Sequence, residues 1–128
     1  MKYNNLIPEL SVTNINKSKE FYLNLGFEIK YERPENKFCF LELNNNQIMI
    51  EEINDNWNVG ELSYPFGRGI NISMTVENID IIYKNAVNNN YRIFKEIMTN
   101  EYRVNNETII EHEFLIQDPD GYLLRFND

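Results

Sequence analysis

Cysteine and histidine are scarce in this 128-residue sequence, which has one of each. A single cysteine, Cys39, excludes an intramolecular disulfide and is typical of a reducing compartment. It lies between Phe38 and Phe40, which indicates a buried structural thiol, because nothing in the neighbouring sequence would lower its pKa. The single histidine, His112, would need other residue types beside it to bind a metal. The sequence also has no Ser-His-Asp set, phosphate-binding glycine loop or paired-cysteine motif.

Basic residues are also few, with 12 Lys and Arg against 20 Asp and Glu and a net charge of −8. Nucleic acid is therefore not an expected partner, because phosphate binding needs a basic stripe. No apolar run reaches membrane-spanning length, and the polar first six residues lack the apolar core of a signal peptide. We expect a soluble, cytoplasmic protein with no membrane partner. The acidic surface either attracts a cationic ligand or simply keeps the protein soluble, and the charge alone does not separate the two.

Hydrophobic periodicity predicts the order β, α, β, β, β in the first half of the chain. The predicted strands are Leu6–Val12, Phe27–Glu32, Phe38–Leu43 and Gln47–Ile53. Asn14 is the expected N-cap of the helix, and Gly26 is placed to end it in the left-handed conformation. Alternation in the second strand predicts that Phe27, Ile29 and Tyr31 share one face.

The second half repeats this order after a segment rich in turn residues, 54–69, whose Trp57, Tyr64 and Phe66 we expect to pack against other residues. The predicted strands are Ile70–Val76, Tyr91–Ile97, Ile109–Gln117 and Tyr122–Phe126. Asn78 is expected to cap a helix that ends at residues 88–90. The sequence Asp118-Pro119-Asp120-Gly121 predicts a tight hairpin turn between the last two strands.

The two halves match at one constant shift of 64 positions, which pairs Val12 with Val76 and Asn14 with Asn78. A constant shift across strand, cap and helix indicates internal duplication. We predict an α+β fold in which two tandem βαβββ modules form a curved mixed-sheet half-barrel. The chain is then one domain, residues 1–128, with module one at about 5–53, the linker at about 54–69 and module two at about 70–127. The half-sheets are expected to curl around a common cavity, the default place for a ligand.

Three segments carry a resemblance to a known family. They are Leu10-Ser11-Val12-Thr13-Asn14, the helix end Phe21-Tyr22-Leu23-Asn24-Leu25-Gly26-Phe27, and Asp118-Pro119-Asp120-Gly121-Tyr122-Leu123-Leu124-Arg125-Phe126. Together they resemble the vicinal oxygen chelate superfamily, which includes glyoxalase I, extradiol dioxygenases, fosfomycin-resistance transferases and bleomycin-resistance proteins. The resemblance covers nearly the whole chain and implies the paired βαβββ fold that the repeat also predicts. A fold alone does not determine function.

In metal-dependent members, the resemblance implies up to four ligands that face the cavity from the first and last strands of each module. The corresponding positions here are Ile7, Glu51, Asn71 and Arg125. Ile7 has no ligating atom, Asn71 is a weak ligand, and the permanent charge of Arg125 repels a divalent cation. We therefore expect no metal and no other cofactor. Glu51 and Arg125 are expected to form an ion pair across the cavity, to contact the ligand, or both.

The resemblance to the bleomycin-resistance branch, whose members lack the metal ligands, implies a homodimer that sequesters a cationic or aromatic drug-like molecule in a groove, with no catalytic residues. Aromatic side chains suit stacking and cation–π contacts there, although core or interface packing would also explain them. The candidate ligand-binding residues are Phe38, Glu51, Trp57, Tyr64, Phe66, Asn71, Tyr102, His112 and Arg125. His112 could also serve as a general base or simply pack in a strand. The alternatives are a metal-dependent glyoxalase-type lyase or dioxygenase of the same fold, and a small-molecule sensor.

Overall fold

The computed structural model describes residues 2–128 as two four-stranded sheets and two α-helices. Module one contains β1 (Glu9–Val12), α1 (Ile15–Leu25), β2 (Glu28–Arg33), β3 (Phe38–Leu43) and β4 (Asn46–Glu52), with a short 3₁₀ helix at Pro34–Asn36. Module two contains β5 (Asn71–Thr75), α2 (Ile79–Asn88), β6 (Ile93–Val104), β7 (Glu107–Gln117) and β8 (Leu123–Asn127). The predicted α+β fold with two βαβββ modules is confirmed. Within residues 2–128, neither helix is long and apolar enough to cross a membrane.

The helices begin and end where the sequence predicts. Asn14 caps α1, because its side-chain oxygen accepts a hydrogen bond from the backbone N–H of Lys17 at 3.1 Å. Gly26 ends that helix with a φ of 129°, a value that favours glycine. In module two, Asn78 accepts from the backbone N–H of Asp80 at 2.9 Å.

Each sheet places its strands in the same spatial order. Sheet one has the order β1-β4-β3-β2, and sheet two has the order β5-β8-β7-β6. The first and last strands of each module are parallel, and the remaining pairs are antiparallel. A parallel pair needs a crossover connection, and the helix in that connection covers one face of its sheet.

A β-bulge in β2 corrects the predicted orientation of Tyr31. Ile29 pairs with Leu41 and Tyr31 pairs with the adjacent Phe40, so Lys30 is an extra residue on β2. The extra residue interrupts the alternation of side chains. Tyr31 therefore lies on the face of the sheet opposite to Ile29, and the prediction that they share a face is wrong.

Module two repeats this bulge at the equivalent place. Ile93 pairs with Ile116 and Lys95 pairs with the adjacent Leu115, so Phe94 is the extra residue on β6. Lys95 consequently lies on the face opposite to Ile93, just as Tyr31 lies opposite to Ile29. The duplication therefore includes the irregularity of the second strand.

The hairpin of β6 and β7 is longer than the sequence predicts. The two strands have 12 and 11 residues and meet at a turn in which Asn105 has a φ of 57°. We predicted that the first strand would end at Ile97 and the second would begin at Ile109. Most residues between them are polar and exposed, so they give no periodic apolar signal even though the backbone is paired.

The two modules share one hydrophobic core on the helix sides of both sheets. The ring of Phe27 in module one lies 6.5 Å from that of Phe126 in module two. Cys39 is fully buried in this core, as predicted, and burial raises the pKa of its thiol to about 11. Within one chain the modules meet through this apolar core, and clefts lined by residues of both modules open beside it. The opposite side of each sheet points away from this core, and we call these two surfaces the outward faces.

Hydrogen bonds related by the duplication fix the two modules to each other. In one equivalent pair, the Thr13 N–H donates to Asp120 and the Glu77 N–H donates to Asn44. In the other, the Tyr122 hydroxyl donates to the Ser11 carbonyl and the Asn46 side-chain amide donates to the Thr75 carbonyl. A buried bond reinforces them, in which the Tyr22 hydroxyl donates to the Asp118 carboxyl at 2.7 Å. The turn between the last two strands of each module is thus bound to the other module.

The turn at Gly121 gives a test of its packing against the linker. Gly121 has a φ of 94°, and an added Cβ would lie 2.5 Å from the Pro65 Cβ and 2.7 Å from its Cα. We expect Gly121→Ala to lower the free energy of unfolding by at least about 2 kcal/mol, through backbone strain and this overlap. Urea denaturation would measure the loss. Gly60→Ala is the matched control, because nothing lies within 4 Å of that added Cβ, and an equal loss in both variants would contradict the expectation.

Asp118 gives a second test, through pH. Burial raises the pKa of its carboxyl to about 6, against the lowering effect of the Tyr22 hydroxyl and two backbone N–H groups. Because the folded-state pKa lies above the unfolded value of about 3.9, this group favours the folded state most at low pH, and that contribution is lost as pH rises through about 6.

We therefore expect the stability of Asp118→Asn relative to wild type to increase by about 1 kcal/mol between pH 5 and pH 7.5. Denaturant unfolding of both proteins at the two pH values would measure this difference. Taking the difference cancels the other carboxyl groups, several of which titrate in the opposite direction. A difference in stability that does not change with pH would show that Asp118 is not the titrating group.

Candidate ligand site

Side chains on the outward faces lie in rows across the strands. On module one the rows are Tyr31–Phe40–Met49–Glu9 and Arg33–Phe38–Glu51–Ser11. On module two the equivalent rows are Lys95–Leu115–Arg125–Ser73 and Met98–Glu113–Asn127–Thr75. Module one has Tyr31, Phe38 and Met49 at the three positions where module two has Lys95, Glu113 and Arg125, respectively.

A layer of aromatic rings covers the outward face of module one. The ring of Tyr31 stacks on Phe40 with centroids 5.1 Å apart and planes 17° apart, and it lies 5.8 Å from the ring of Phe38. Tyr3 packs edge-on against Phe40 at 5.6 Å. Phe38 and Phe40 are 2% and 1% exposed, so Tyr31 and Tyr3 provide the accessible aromatic surface.

Charged groups surround this aromatic layer. The guanidinium of Arg33 lies 4.0 Å from the centroid of the Phe38 ring, a cation–π contact. Glu9 and Glu51 lie on the same face, and Glu51 accepts a hydrogen bond from the Asn54 side chain at 2.8 Å. Partial burial and the nearby Glu51 raise the pKa of Glu9, and Arg33 opposes this effect.

The outward face of module two carries an acid–base pair. The Oε1 atom of Glu113 lies 3.6 Å from a terminal nitrogen of the Arg125 guanidinium. The Oε2 atom accepts hydrogen bonds from the Tyr102 hydroxyl and from the Asn100 amide. The Glu113 side chain is 1% exposed, whereas that of Arg125 is 32% exposed. Within residues 2–128 the guanidinium of Arg125 has no hydrogen-bond acceptor, so its donors remain available.

Polar groups extend this face towards β5. The side-chain oxygen of Asn127 accepts from the Thr75 hydroxyl at 2.7 Å, and its amide donates to the Ser73 hydroxyl at 3.0 Å. Asn71 is exposed and lies on the same side of β5 as Ser73. The face thus offers hydroxyl and amide groups beside Arg125.

Strand register corrects one of the four positions expected to face a metal. Arg125 lies beside Ser73, and the equivalent pairing in module one joins Glu9 to Met49, not to Glu51. The prediction therefore placed the position of module one two residues too far along β4. Glu51 and Arg125 belong to different outward faces, and the partner of Arg125 is Glu113.

The residues at the metal positions do not fit a divalent cation. With the corrected register these residues are Ile7, Met49, Asn71 and Arg125, which offer one amide oxygen and one thioether and add a positive charge. Among residues 2–128, no group of three or more His, Cys, Asp or Glu side chains is arranged to hold a metal ion. Chemistry that depends on a metal at this place has no support from these side chains.

The three linker aromatics occupy different environments. Phe66 is buried and packs edge-on against Tyr122, with ring centroids 5.8 Å apart. The hydroxyl of Tyr64 accepts a hydrogen bond from Arg92 at 3.0 Å. Trp57 is 69% exposed. Phe66 therefore packs as the sequence predicts, and Trp57 does not.

The remaining predicted residues divide between two surfaces. Tyr102 and Arg125 meet through Glu113 on the outward face of module two, and Phe38 lies beside Glu51 on that of module one. His112 precedes Glu113 on β7 and points to the opposite face, where its Nδ1 atom lies 3.5 Å from a carboxyl oxygen of Asp128. A role for His112 in the same site is therefore not supported by its position.

The sequence reading missed Tyr31, Lys95 and Glu113. The bulges conceal the first two, because simple alternation assigns Tyr31 to the core side. Glu113 alternates with the buried Phe114, and this signal was available. The burial of Glu113 could not be predicted from the sequence, because it depends on Asn100 and Tyr102, which lie between two predicted strands.

Comparisons with known proteins agree on the family. The model of the Glyoxalase/Bleomycin resistance protein/Dioxygenase superfamily matches residues 6–126. A superfamily member from Vibrio splendidus 12B01 is 33% identical over 93% of both chains, with a TM-score of 0.43. No curated protein matches the sequence.

Two further solved structures show the same fold. TioX from Micromonospora sp. ML1 is 14% identical over 97% of both chains, with a TM-score of 0.73. A glyoxalase/bleomycin resistance protein/dioxygenase from Alicyclobacillus acidocaldarius is 18% identical over 95% of this chain and 88% of that chain, with a TM-score of 0.66. At these identities the likeness concerns the fold alone.

The side chains at the metal positions lead to a direct prediction. We expect that neither a chelator nor an excess of nickel, zinc or manganese ions shifts the thermal unfolding midpoint, because a ligand stabilises a protein only when it binds the folded state. Differential scanning fluorimetry and metal analysis after dialysis would measure this. The variant His112→Gln is the control for weak binding of the added metal ions to the imidazole of His112. Stoichiometric metal that is retained in this variant would contradict the expectation.

Proposed function

Because the chain belongs to the Glyoxalase/Bleomycin resistance protein/Dioxygenase superfamily, we propose that it binds a small aromatic molecule without a metal ion and sequesters it. Sequestration needs only affinity and copy number, and no catalytic residue. The proposal corresponds to the bleomycin-resistance part of the family name. The alternative of a metal-dependent lyase or dioxygenase has no support from the residues at the metal positions.

The aromatic layer on the outward face of module one carries this proposal. On the side of the sheet that does not contribute to the shared core, Tyr31 presents an accessible ring that stacks on the buried Phe40 and lies 5.8 Å from the ring of the buried Phe38. Aromatic side chains on a surface that core packing does not require favour the stacking of a flat ligand. The bulge at Lys30 turns Tyr31 to this side of the sheet, so its ring does not contribute to the core.

Of the two ligand chemistries expected from the sequence, cationic and aromatic, the contacts favour the aromatic one. The guanidinium of Arg33 already occupies the cation–π position over Phe38, 4.0 Å from the ring centroid. A ligand cation at this place would have to displace Arg33. A neutral or anionic ring could stack on Tyr31 beside Arg33 without that cost.

The proposed site is a groove between two copies of the chain. Within one chain the outward faces lie on opposite sides of the shared core, so neither is enclosed. In a homodimer, module one of each copy could face module two of the other, and two-fold symmetry would produce two equivalent grooves. Each groove would then combine the accessible rings of Tyr31 and Tyr3 with Arg125.

Binding of a neutral aromatic probe tests the proposed ligand class. We expect the uncharged fluorophore anilinonaphthalene to bind, and Tyr31→Leu to weaken its binding roughly three- to tenfold through loss of stacking. Fluorescence titration would measure both dissociation constants. Tyr64→Leu is the matched control, since Tyr64 is an exposed tyrosine outside the outward faces. Equal effects of the two substitutions, or no binding by wild type, would disprove the proposal, and a parallel titration with bleomycin would test that ligand.

The oligomeric state tests the proposed groove. We expect sedimentation equilibrium to give twice the chain mass of 15.3 kDa, and the same mass for Tyr31→Leu. A monomer at micromolar concentration that still binds the probe would place the site on a single outward face instead.

A further inference from the structure

We propose that Arg125, with Lys95 two strands away on the same face, binds an anionic group of the ligand, so that the ligand class is an aromatic carboxylate, sulfonate or phosphate. This inference rests on the proposed function of the groove and specifies the chemistry of its occupant. It concerns the outward face of module two, whereas the aromatic layer belongs to module one.

The guanidinium of Arg125 has more donors than partners. It carries five N–H groups, yet it donates no hydrogen bond within residues 2–128, and its ion-pair partner there is Glu113, with 3.6 Å between the charged atoms. A third of its side chain is accessible from the outward face. Planar carboxylates and phosphates match the fork of an arginine and form two parallel hydrogen bonds with it. Arg125 is therefore placed to bind an anion without losing an existing hydrogen bond.

Glu113 acts as a positioning residue for Arg125. Its side chain is 1% exposed, and its Oε2 atom is held by the Tyr102 hydroxyl and the Asn100 amide, which directs Oε1 towards the guanidinium. The same contacts argue against a ligand cation at this place, because both carboxylate oxygens already face donors of the protein. An incoming group must therefore bind to Arg125, not to Glu113.

Lys95 adds a second cation to the outward face of module two. It lies in the same row as Arg125, with Leu115 between them, and the bulge at Phe94 brings it to the outward face. Lys95 is exposed and forms no ion pair with any residue in the range 2–128. The Arg125–Glu113 pair alone is neutral, and Lys95 adds a second cation to the face on which Arg125 lies, in a chain of net charge −8.

Two probes that differ only in charge test the inference. Anilinonaphthalene sulfonate carries an anionic group on the ring system of the neutral anilinonaphthalene. We expect the sulfonate to bind wild type at least about tenfold more tightly than the neutral probe, because hydrogen bonds to a charged group are the stronger ones. Fluorescence titration of both probes gives the ratio of their dissociation constants, which we call the anion preference.

Substitutions identify the side chains that cause the anion preference. We expect Arg125→Gln to abolish it, so that both probes bind this variant with dissociation constants within about twofold of each other, and Lys95→Gln to reduce it roughly threefold. Because Arg125→Gln leaves the Glu113 carboxylate buried without its partner, the double variant Glu113→Gln/Arg125→Gln provides a neutral pair that folds independently of that charge. Arg103→Gln is the matched control, since Arg103 is exposed near the hairpin turn and donates to the Asn105 carbonyl.

Glu113→Gln alone tests the positioning role. It removes the charge that orients Arg125 and also raises the local positive charge, so a fall in the anion preference would support the positioning role and a rise would overturn it. Neutral-probe binding and the unfolding midpoint are measured alongside. A role in packing alone would change the affinity for both probes equally and leave their ratio unchanged.

Each outcome distinguishes this inference from the proposed function. If the neutral probe binds and Arg125→Gln leaves the anion preference unchanged, the inference is overturned and the aromatic groove remains. If Arg125→Gln weakens both probes equally, Arg125 has a packing role and the inference is again overturned. If neither probe binds wild type, the proposed function fails, and the inference fails with it.

Discussion

Burial of two helices and two sheet faces in one shared core determines which surfaces remain for binding. Each module has an apolar side that cannot be stable in water alone, and the two sides cover each other. The hydrogen bonds of the Asp118–Gly121 turn and of its counterpart near Asn44 fix this arrangement. Everything proposed about function concerns the surfaces that this packing leaves outside.

Two equivalent outward faces have acquired different chemistry. In module one the second-strand bulge presents Tyr31 beside Phe38 and Phe40, whereas in module two the same bulge presents Lys95 beside Leu115. One backbone design thus supports an aromatic surface and a charged surface in the same chain. A groove formed between them would match a molecule with a flat apolar part and a polar end, which neither face could bind alone.

Much of the fold could be predicted from the sequence, because the signals involved are local. Asn14 and Asn78 as caps, Gly26 as a helix end and Gly121 in a tight turn each follow from the chemistry of one residue. The site was harder to predict, because it depends on register. The orientation of Tyr31 depends on an extra residue that the alternation does not reveal. The counterpart of Arg125 on β4 was misassigned by two residues because the pairing register cannot be read from the sequence. The burial of Glu113 depends on a β6–β7 hairpin that is longer than its apolar pattern indicates.

The bulges have one more consequence, for the solubility of the protein. They occur in β2 and β6, the outermost strand at one side of each sheet, where unpaired backbone groups would accept a strand from another molecule. An extra residue twists such an edge and interrupts its regular spacing, so a foreign strand cannot continue the ladder. The irregularity that turns Tyr31 and Lys95 towards a ligand therefore also limits the growth of each sheet into an aggregate.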